Sequence, residues 1–463
     1  MRQNPHNSLL WLTCLALFVV ACKKEVDPIS LSNDRTIKSF TFESLNPAIV
    51  GVIDSVAYTV RATVPAGTSL SQLPPSVVLP PNATISPASG DVQDFSKPVS
   101  YTVTSANGET QSFVVTVTTA STVVNGGSLI YLGGDNGNFF AIDAGSGEGK
   151  WRQSVGSGIA STAYVAAGMV FVGSGTGNLQ AFDPKIGVQR WKFTTGAAIL
   201  SSPVVSGRTL FFGSEDQNIY ALDVLTGTQR WKFGTAGGVT SSPTVVNGTM
   251  YVASKDQTLY ALDAATGTQR WKTGVGDKIT SSPAVANGLV YIGSNDFNLY
   301  AFDAAAGGTA KWKFSTGGLV TASPTVANGL AYIGSNDQTF YALDAATGAL
   351  RWKYGTGGAI LSSATVANGI IYVGSNDNTL YALDAQSGVL RWKVGTGGAI
   401  SSSPVVYNGF VYVSGQDTSL YCFNAATGVL RWKSPLGTRI MASPTLATTD
   451  LVPVVSSISG GLQ

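Results

Sequence analysis

The sequence predicts an all-β chain on three observations. Eight tryptophans, Trp151, Trp191, Trp231, Trp271, Trp312, Trp352, Trp392 and Trp432, stand 40 residues apart with one step of 41. The runs between them alternate over short stretches, and none carries the 3.6-residue apolar period of an amphipathic helix. Glycine occurs 54 times in 463 residues and only 12% of the residues are charged, which suits short strands joined by tight turns.

Each 40-residue unit reads as four strands. In the seventh copy, SSATVANG supplies a small inner strand and its turn, IIYVGS the second strand, TLYALD the third and LRWKVG the outer one. Eight such units predict an eight-bladed β-propeller, since β-helix coils are shorter and helical repeats of this length need amphipathic segments of ten or more residues.

Within residues 260–272, YALDAATGTQRWK, alternation puts Tyr260 and Leu262 on one face and Ala261 and Asp263 on the other. Alanine fills the Ala261 position in seven copies and Cys422 in the eighth, so that face is expected to be crowded by a neighbour. The aspartates at this site, from Asp143 to Asp384, and Asn424 precede a turn whose amides their side chains can bind. The glycine four residues later is read as a positive-φ position. Each tryptophan then has a flat ring free to pack between blades, burying about 150–250 Å².

This repeated set resembles the tryptophan-docking motif of the PQQ-type β-propellers over residues 121–434. The resemblance implies that the tryptophans hold blades together, and it implies no cofactor, because many members bind no quinone. Both residues 121–134 and residues 442–457 look like the opening strands of a blade. The C-terminal segment is expected to close blade one, which gives a propeller over 121–457 and a tail over 458–463.

The N-terminus reads as an address. Arg2 precedes an apolar run over residues 9–21, too short to span a bilayer, and Val19, Val20, Ala21 and Cys22 resemble the lipobox of bacterial lipoproteins. That resemblance implies a signal peptide over 1–21, lipidation at Cys22, a linker over 22–35 and attachment to the outer membrane, on the periplasmic side or the cell surface. Residues 36–119 carry six or seven short alternating runs and an Asn107-Gly108 hairpin signal, predicting a small β-sandwich. Val56, Tyr58, Val60 and Ala62 are expected on one face. This stretch resembles the Ig-like modules that open Bacteroidetes surface lipoproteins, where they space or adhere.

Composition restricts the chemistry. The formal charge is +2 with the basic residues dispersed, which argues against nucleic acid as a partner. His6 is the sole histidine, and Cys422 is the only cysteine beyond the first 22 residues. The processed chain therefore has no histidine for a zinc site or a catalytic triad, and no internal disulfide. Asp216, Asp256, Asp296, Asp337, Asp377 and Asp417 recur after the second strand and are read as turn formers, since a residue used six times serves a ring rather than one reactive centre. Sixteen of the 28 basic residues flank the tryptophans and are expected to form a basic girdle that protects the outer strands from pairing with other sheets.

Departures from the repeat mark the candidate partner site: Glu215, Lys255, Asp277, Lys278, Phe297, Gln416 and Arg439, on loops expected to share one face. PQQ-dependent dehydrogenases need a catalytic acid or base, cofactor-binding cations and calcium ligands, and many add a vicinal disulfide; this chain has no adjacent cysteines and no long insertions. No catalytic residue, metal ligand or cofactor is therefore assigned. The preferred reading is a noncatalytic, membrane-anchored binding or scaffold protein with an envelope protein partner. It resembles the lipoproteins of the outer-membrane barrel-assembly machinery. The alternatives are a quinoprotein-type or carbohydrate-active propeller enzyme, and a cell-surface glycan-binding or adhesion protein.

Overall fold

The computed structural model describes residues 32–45, 48–64, 68–119, 127–448 and 453–454. The expected signal peptide, the lipidation site Cys22 and the tail over 458–463 lie outside them. The chain divides into two compact units, residues 1–119 and 120–463.

The first unit holds β1 (Ser39–Phe42), β2 (Ile49–Val50), β3 (Val52–Asp54), β4 (Thr59–Val64), β5 (Ser76–Val78), β6 (Thr84–Ser86), β7 (Val99–Thr104) and β8 (Thr110–Thr119). One sheet has the order β2-β1-β5 and the other β3-β4-β8-β7-β6, with β4 and β8 parallel. Phe40, Phe42, Phe95 and Tyr101 form its aromatic core, Phe40 meeting Tyr101 edge-on at 5.4 Å and Phe42 meeting Phe95 at 5.3 Å.

Two local expectations need correction. Val60 and Ala62 face the core, but Val56 and Tyr58 are exposed, because Asp54 accepts the amides of Val56 and Ala57 and folds that segment into a turn before β4 begins. The β7–β8 connection runs over residues 105–109 rather than two residues, and Gly108 alone takes the positive φ, at 89°. Ser105 closes this loop through its amide on the Glu109 carbonyl at 2.8 Å.

The second unit is a ring of eight blades. Blades two to eight are each four consecutive antiparallel strands, for example Thr365–Ala367, Ile370–Gly374, Thr379–Asp384 and Leu390–Gly395 in blade seven. Blade one takes Leu129–Gly133, Asn138–Asp143 and Gly149–Ser154 from the start of the unit and Thr445–Ala447, followed by Pro453–Val454, from its end. Thr445, Leu446 and Ala447 pair with Tyr131, Ile130 and Leu129, so the first and last strands of this unit share one sheet. The Thr445 hydroxyl also donates to the Ala163 carbonyl of blade two at 2.6 Å.

Each tryptophan bridges to the next blade. Trp231 Nε1 donates to the Ala264 carbonyl at 3.2 Å, and a methyl added at Gly267 would stand 2.7 Å from the Trp231 ring. Gly267 has a φ of 75°, so two independent demands exclude a side chain there. The same contact closes the ring, with Trp432 of blade eight against Gly147 of blade one. Ala261 and its equivalents are fully buried because each lies directly across the ladder from its tryptophan. In six blades the second strand adds a tyrosine: Tyr332 Oη and Trp352 Nε1 both donate to the Ala385 carbonyl, at 3.0 and 3.2 Å. Phe171 and Phe211 stand at that position in blades two and three and lack the hydroxyl.

A second belt of hydrogen bonds runs around the inner strands. The Thr162 amide donates to Ser202 Oγ, the Ser202 amide to Ser242 Oγ, and the sequence continues through Ser282, Ser323, Ser363 and Ser403 to Ser443, at 2.8–3.1 Å. The repeated Ser-Ser-Pro stretches exist to make it. Backbone amides that no sheet neighbour serves are thereby satisfied between blades.

Candidate functional site

The loops between second and third strands and those linking successive blades meet on one face. Glu215 donates its amide to Ala198, Lys255 to Gly238, Asn295 to Lys278, Asn376 to Ala359, and Asp135 to Arg439, each at 2.9–3.0 Å. The repeated aspartates lock this arrangement. Asp256 accepts the Thr258 amide, the Tyr260 hydroxyl at 2.8 Å and the Ala236 amide at 2.9 Å, tying together its own turn, its own third strand and the incoming loop. Asp216, Asp296, Asp337 and Asp377 repeat the set. Asp417 departs from it: the Gly397 amide turns to Tyr421 Oη instead, and Lys433 approaches the Asp417 carboxylate at 3.0 Å.

These contacts set the titration. Burial pushes the Asp216 and Asp377 carboxyls up, and the tyrosine hydroxyl with the loop amides more than reverses it, leaving both below the usual value. Burial first, then the bonded aspartate, raises Tyr260, Tyr300, Tyr341 and Tyr381 to about 12. At the opposite turns, Arg270 and the Thr266 groups hold Asp263 at about 2, and Arg351 with Thr347 holds Asp344 at about 2. A depressed carboxylate stabilises the fold above its ordinary value of 3.8 and loses that contribution as pH falls towards 2. A raised phenol stabilises it below its ordinary value of 10.0 and loses that contribution as pH rises through about 12. Near-ultraviolet circular dichroism is therefore expected to hold steady from pH 4 to 10 and to collapse below and above, with phenolate absorbance lagging free tyrosine.

The expected girdle is only half free. Arg190, Arg230, Arg270, Arg351 and Arg391, which precede the tryptophans, pair with Asp183, Asp223, Asp263, Asp344 and Asp384 of their own turns at 2.6–2.7 Å. Lys150 and Lys311 reach Asp143 and Asp303 at 3.4 and 3.5 Å. Blade eight has Asn424 at that turn, and Arg431 lies over the Phe410 ring at 4.9 Å instead. The row that follows the tryptophans faces outward, and apart from Lys433, which pairs with Asp417, it makes no ion pair among the described residues.

The structure sorts the seven candidate rim residues into two sectors. Glu215, Lys255, Asp277, Lys278 and Phe297 occupy consecutive positions on blades three to five, where Lys255 Nζ pairs with Glu215 across the blade boundary. Asp277 caps its own loop through the Lys278 amide at 2.7 Å, and Lys278 makes no ion pair among the described residues. Gln416 and Arg439 sit at blades eight and one, where Arg439 bonds Gln416 Oε1 at 3.1 Å and lies 3.8 Å from Asp135. Asp135 escaped the sequence reading because only the folded ring brings blade one against the loop of blade eight. The eight equivalent ring positions read Asp135, Gly175, Glu215, Lys255, Asn295, Asn336, Asn376 and Gln416, while the aspartate after them recurs in six blades. Side-chain chemistry at this ring thus varies over blades one to four and at blade eight, is asparagine on blades five to seven, and the aspartate beside it is constant on blades three to eight.

Phe297 has a φ of 72° and is 47% exposed, where sister turns carry Gln217, Gln257, Gln338, Asn378 and Thr418. A bulky exposed side chain held in the left-handed region costs free energy without core packing in return. Phe297→Asn is expected to stabilise the protein by about 1 kcal/mol, read as a higher midpoint in chemical denaturation. Tyr58, on the first unit, is the other exposed aromatic among the described residues.

No group of three or more acidic, histidine or cysteine side chains able to hold a metal occurs among the described residues. Cys422 is buried opposite Trp432, and burial pushes its thiol up to about 12, away from nucleophilic use.

Compared with known proteins, residues 89–232, 215–318, 305–407 and 390–461 match the family described as outer membrane protein assembly factor BamB. The chain belongs to the BamB family. Residues 37–117 match the family described as SGBP, N-terminal, so this BamB-type propeller follows a domain of that second family. Among solved structures, BamB from Moraxella catarrhalis is 21% identical with a TM-score of 0.54, over 66% of this chain and 90% of that one. The computationally designed Ika8 protein is 15% identical with a TM-score of 0.57, over 64% of this chain and 96% of that one. A europium-containing methanol dehydrogenase is 15% identical with a TM-score of 0.53, over 63% of this chain and 81% of that one. These likenesses are of fold. No curated protein matches the chain.

Proposed function

We propose that the chain is a noncatalytic binding and scaffold lipoprotein of the bacterial outer membrane, anchored through Cys22, which docks a partner protein on the loop face of its propeller. The observation that carries this reading is the ring whose charged positions are confined to a few blades while the neighbouring aspartates are spent on the fold. The ring is asymmetric around a regular scaffold, charged at Asp135, Glu215 and Lys255 and uncharged at Asn295, Asn336 and Asn376, which suits one extended partner better than one small reacting group. The strained, exposed Phe297 beside Lys278 supplies an aromatic anchor within a charged rim. The matched family's name, an outer membrane protein assembly factor, supports barrel-assembly components as that partner. In this reading the first unit spaces the propeller from the membrane.

The test is capture of partners by the natively lipidated protein from envelopes, with Lys278→Glu and Phe297→Asn in parallel. Recovery of barrel-assembly proteins with the parent chain and their loss with both variants is expected. Recovery that ignores both substitutions would place docking elsewhere. Cys22→Ala is expected to move the protein from the membrane to the soluble fraction.

A further inference from the structure

The 41-residue step between Trp271 and Trp312 lengthens the outer strand of blade five to Gly307–Ser315, nine residues against six in Gln269–Gly274 of blade four. The added backbone reaches sideways, and Thr273 Oγ1 donates to the Gly308 carbonyl at 2.8 Å. Beside this bridge lies a groove of about 850 Å³, bounded by residues 273–276 of blade four and by Tyr300, Phe302, residues 308–310 and Lys313 of blade five.

Sister junctions explain why it is open. Two residues after the tryptophan, the outer strand of four blades carries an aromatic that packs edge-on against a tyrosine of the next blade. Phe193 meets Tyr220 at 5.5 Å, Phe233 meets Tyr260 at 5.6 Å, Phe314 meets Tyr341 at 5.4 Å and Tyr354 meets Tyr381 at 5.7 Å. All four of those tyrosines are buried. Val394 stands at this position before Tyr421, and Lys433 lies over the Tyr421 ring at 5.0 Å, so that tyrosine is buried too. Blade four has Thr273 instead, and Tyr300 is only half-buried. The stacked pair of Tyr300 and Phe302, 5.7 Å apart and 16° from parallel, floors the groove.

We infer that this groove binds a phenylalanine or tyrosine side chain from a partner peptide, with a carboxylate beside it. The ring takes the place that Phe193, Phe233, Phe314 and Tyr354 fill from within the chain, and meets the Tyr300 edge in the same geometry. Lys313 lies directly across the ladder from Tyr300, and Lys272 adjoins Thr273; neither is ion-paired among the described residues, so the rim is cationic and selects an acidic neighbour. None of the groove's lining residues belongs to the rim ring, and this inference does not rest on the loop-face reading.

The experiment measures binding of the full mature chain to acetyl-Asp-Phe-Asp-amide by saturation-transfer NMR, with the Asp-Ala-Asp and Lys-Phe-Lys peptides as comparisons. The Phe peptide is expected to bind at least tenfold more tightly than either. Thr273→Phe installs the ring that sister junctions already use, so the fold is retained and its thermal midpoint rises; peptide binding is expected to fall at least tenfold, whereas Thr273→Ser keeps it. Lys313→Glu is expected to shift the preference to Lys-Phe-Lys. Equal binding of the Ala peptide, or binding that survives Thr273→Phe in a folded variant, overturns the inference.

Discussion

Replacing Trp352 by alanine is expected to lower stability by about 3–5 kcal/mol, the cost of removing a large aromatic from a packed interface. The ring lies 6.1 Å from Tyr332 and 5.9 Å from Phe340, and its far face covers Gly388 of the next blade. Truncation leaves a cavity between two blades that cannot collapse, because both sheets are held by their own ladders. Trp352→Phe separates the terms: it keeps most of the packing and removes the 3.2 Å bond to Ala385, at about 1 kcal/mol. Trp432→Phe is the control, since Trp432 Nε1 is buried without a hydrogen-bond partner among the described residues. That substitution is expected to cost less than its counterpart in blade six. Midpoints of urea denaturation check all three, and equal losses for the two Phe variants would show that the indole N–H bond contributes nothing.

Deleting residues 443–463 is expected to have the larger effect, abolishing cooperative unfolding. The deletion removes the Ser443 hydroxyl that receives the Ser403 amide, the Thr445 bond to Ala163 and the strand paired with Leu129, Ile130 and Tyr131. A ring differs from a row of blades because every blade has two neighbours. Without the returning strand, blade one loses its inner edge, and the exposed Leu129–Gly133 strand becomes a template for other chains. The expected result is a shallower denaturation curve together with self-association in size-exclusion chromatography. Deleting residues 458–463 alone is expected to leave both unchanged. A sharp transition in the longer deletion would show that Trp432 and Gly147 close the ring without the shared sheet.

The repeat makes most of the architecture legible in the sequence. A spacing of forty between tryptophans requires each ring to meet an equivalent neighbour, and a residue such as Ala261 that stays small in copy after copy must face something large. Asp263 and Asp256 were readable as turn formers because short acceptors before a tight turn have one local use. The N-terminal unit was read less well at Val56 and Tyr58, because alternation does not reveal that Asp54 turns the chain before the strand starts. The basic girdle was overcounted for a related reason: Arg270 and Asp263 are seven residues apart, and only the bulged ladder between third and outer strands brings them together.

By itself the sequence determined the number of blades, the four strands of blades two to eight and the interfacial use of the tryptophans, since these follow from local pattern multiplied by repetition. It also located the departures from the pattern. Only the tertiary structure decided which departures meet. Arg439 finds Asp135 across the closing seam, Glu215 finds Lys255 across a blade boundary, and Thr273 leaves Tyr300 uncovered on the next blade. Those pairings depend on the angle and stagger between successive sheets, which many packed side chains set together and which no single forty-residue unit encodes.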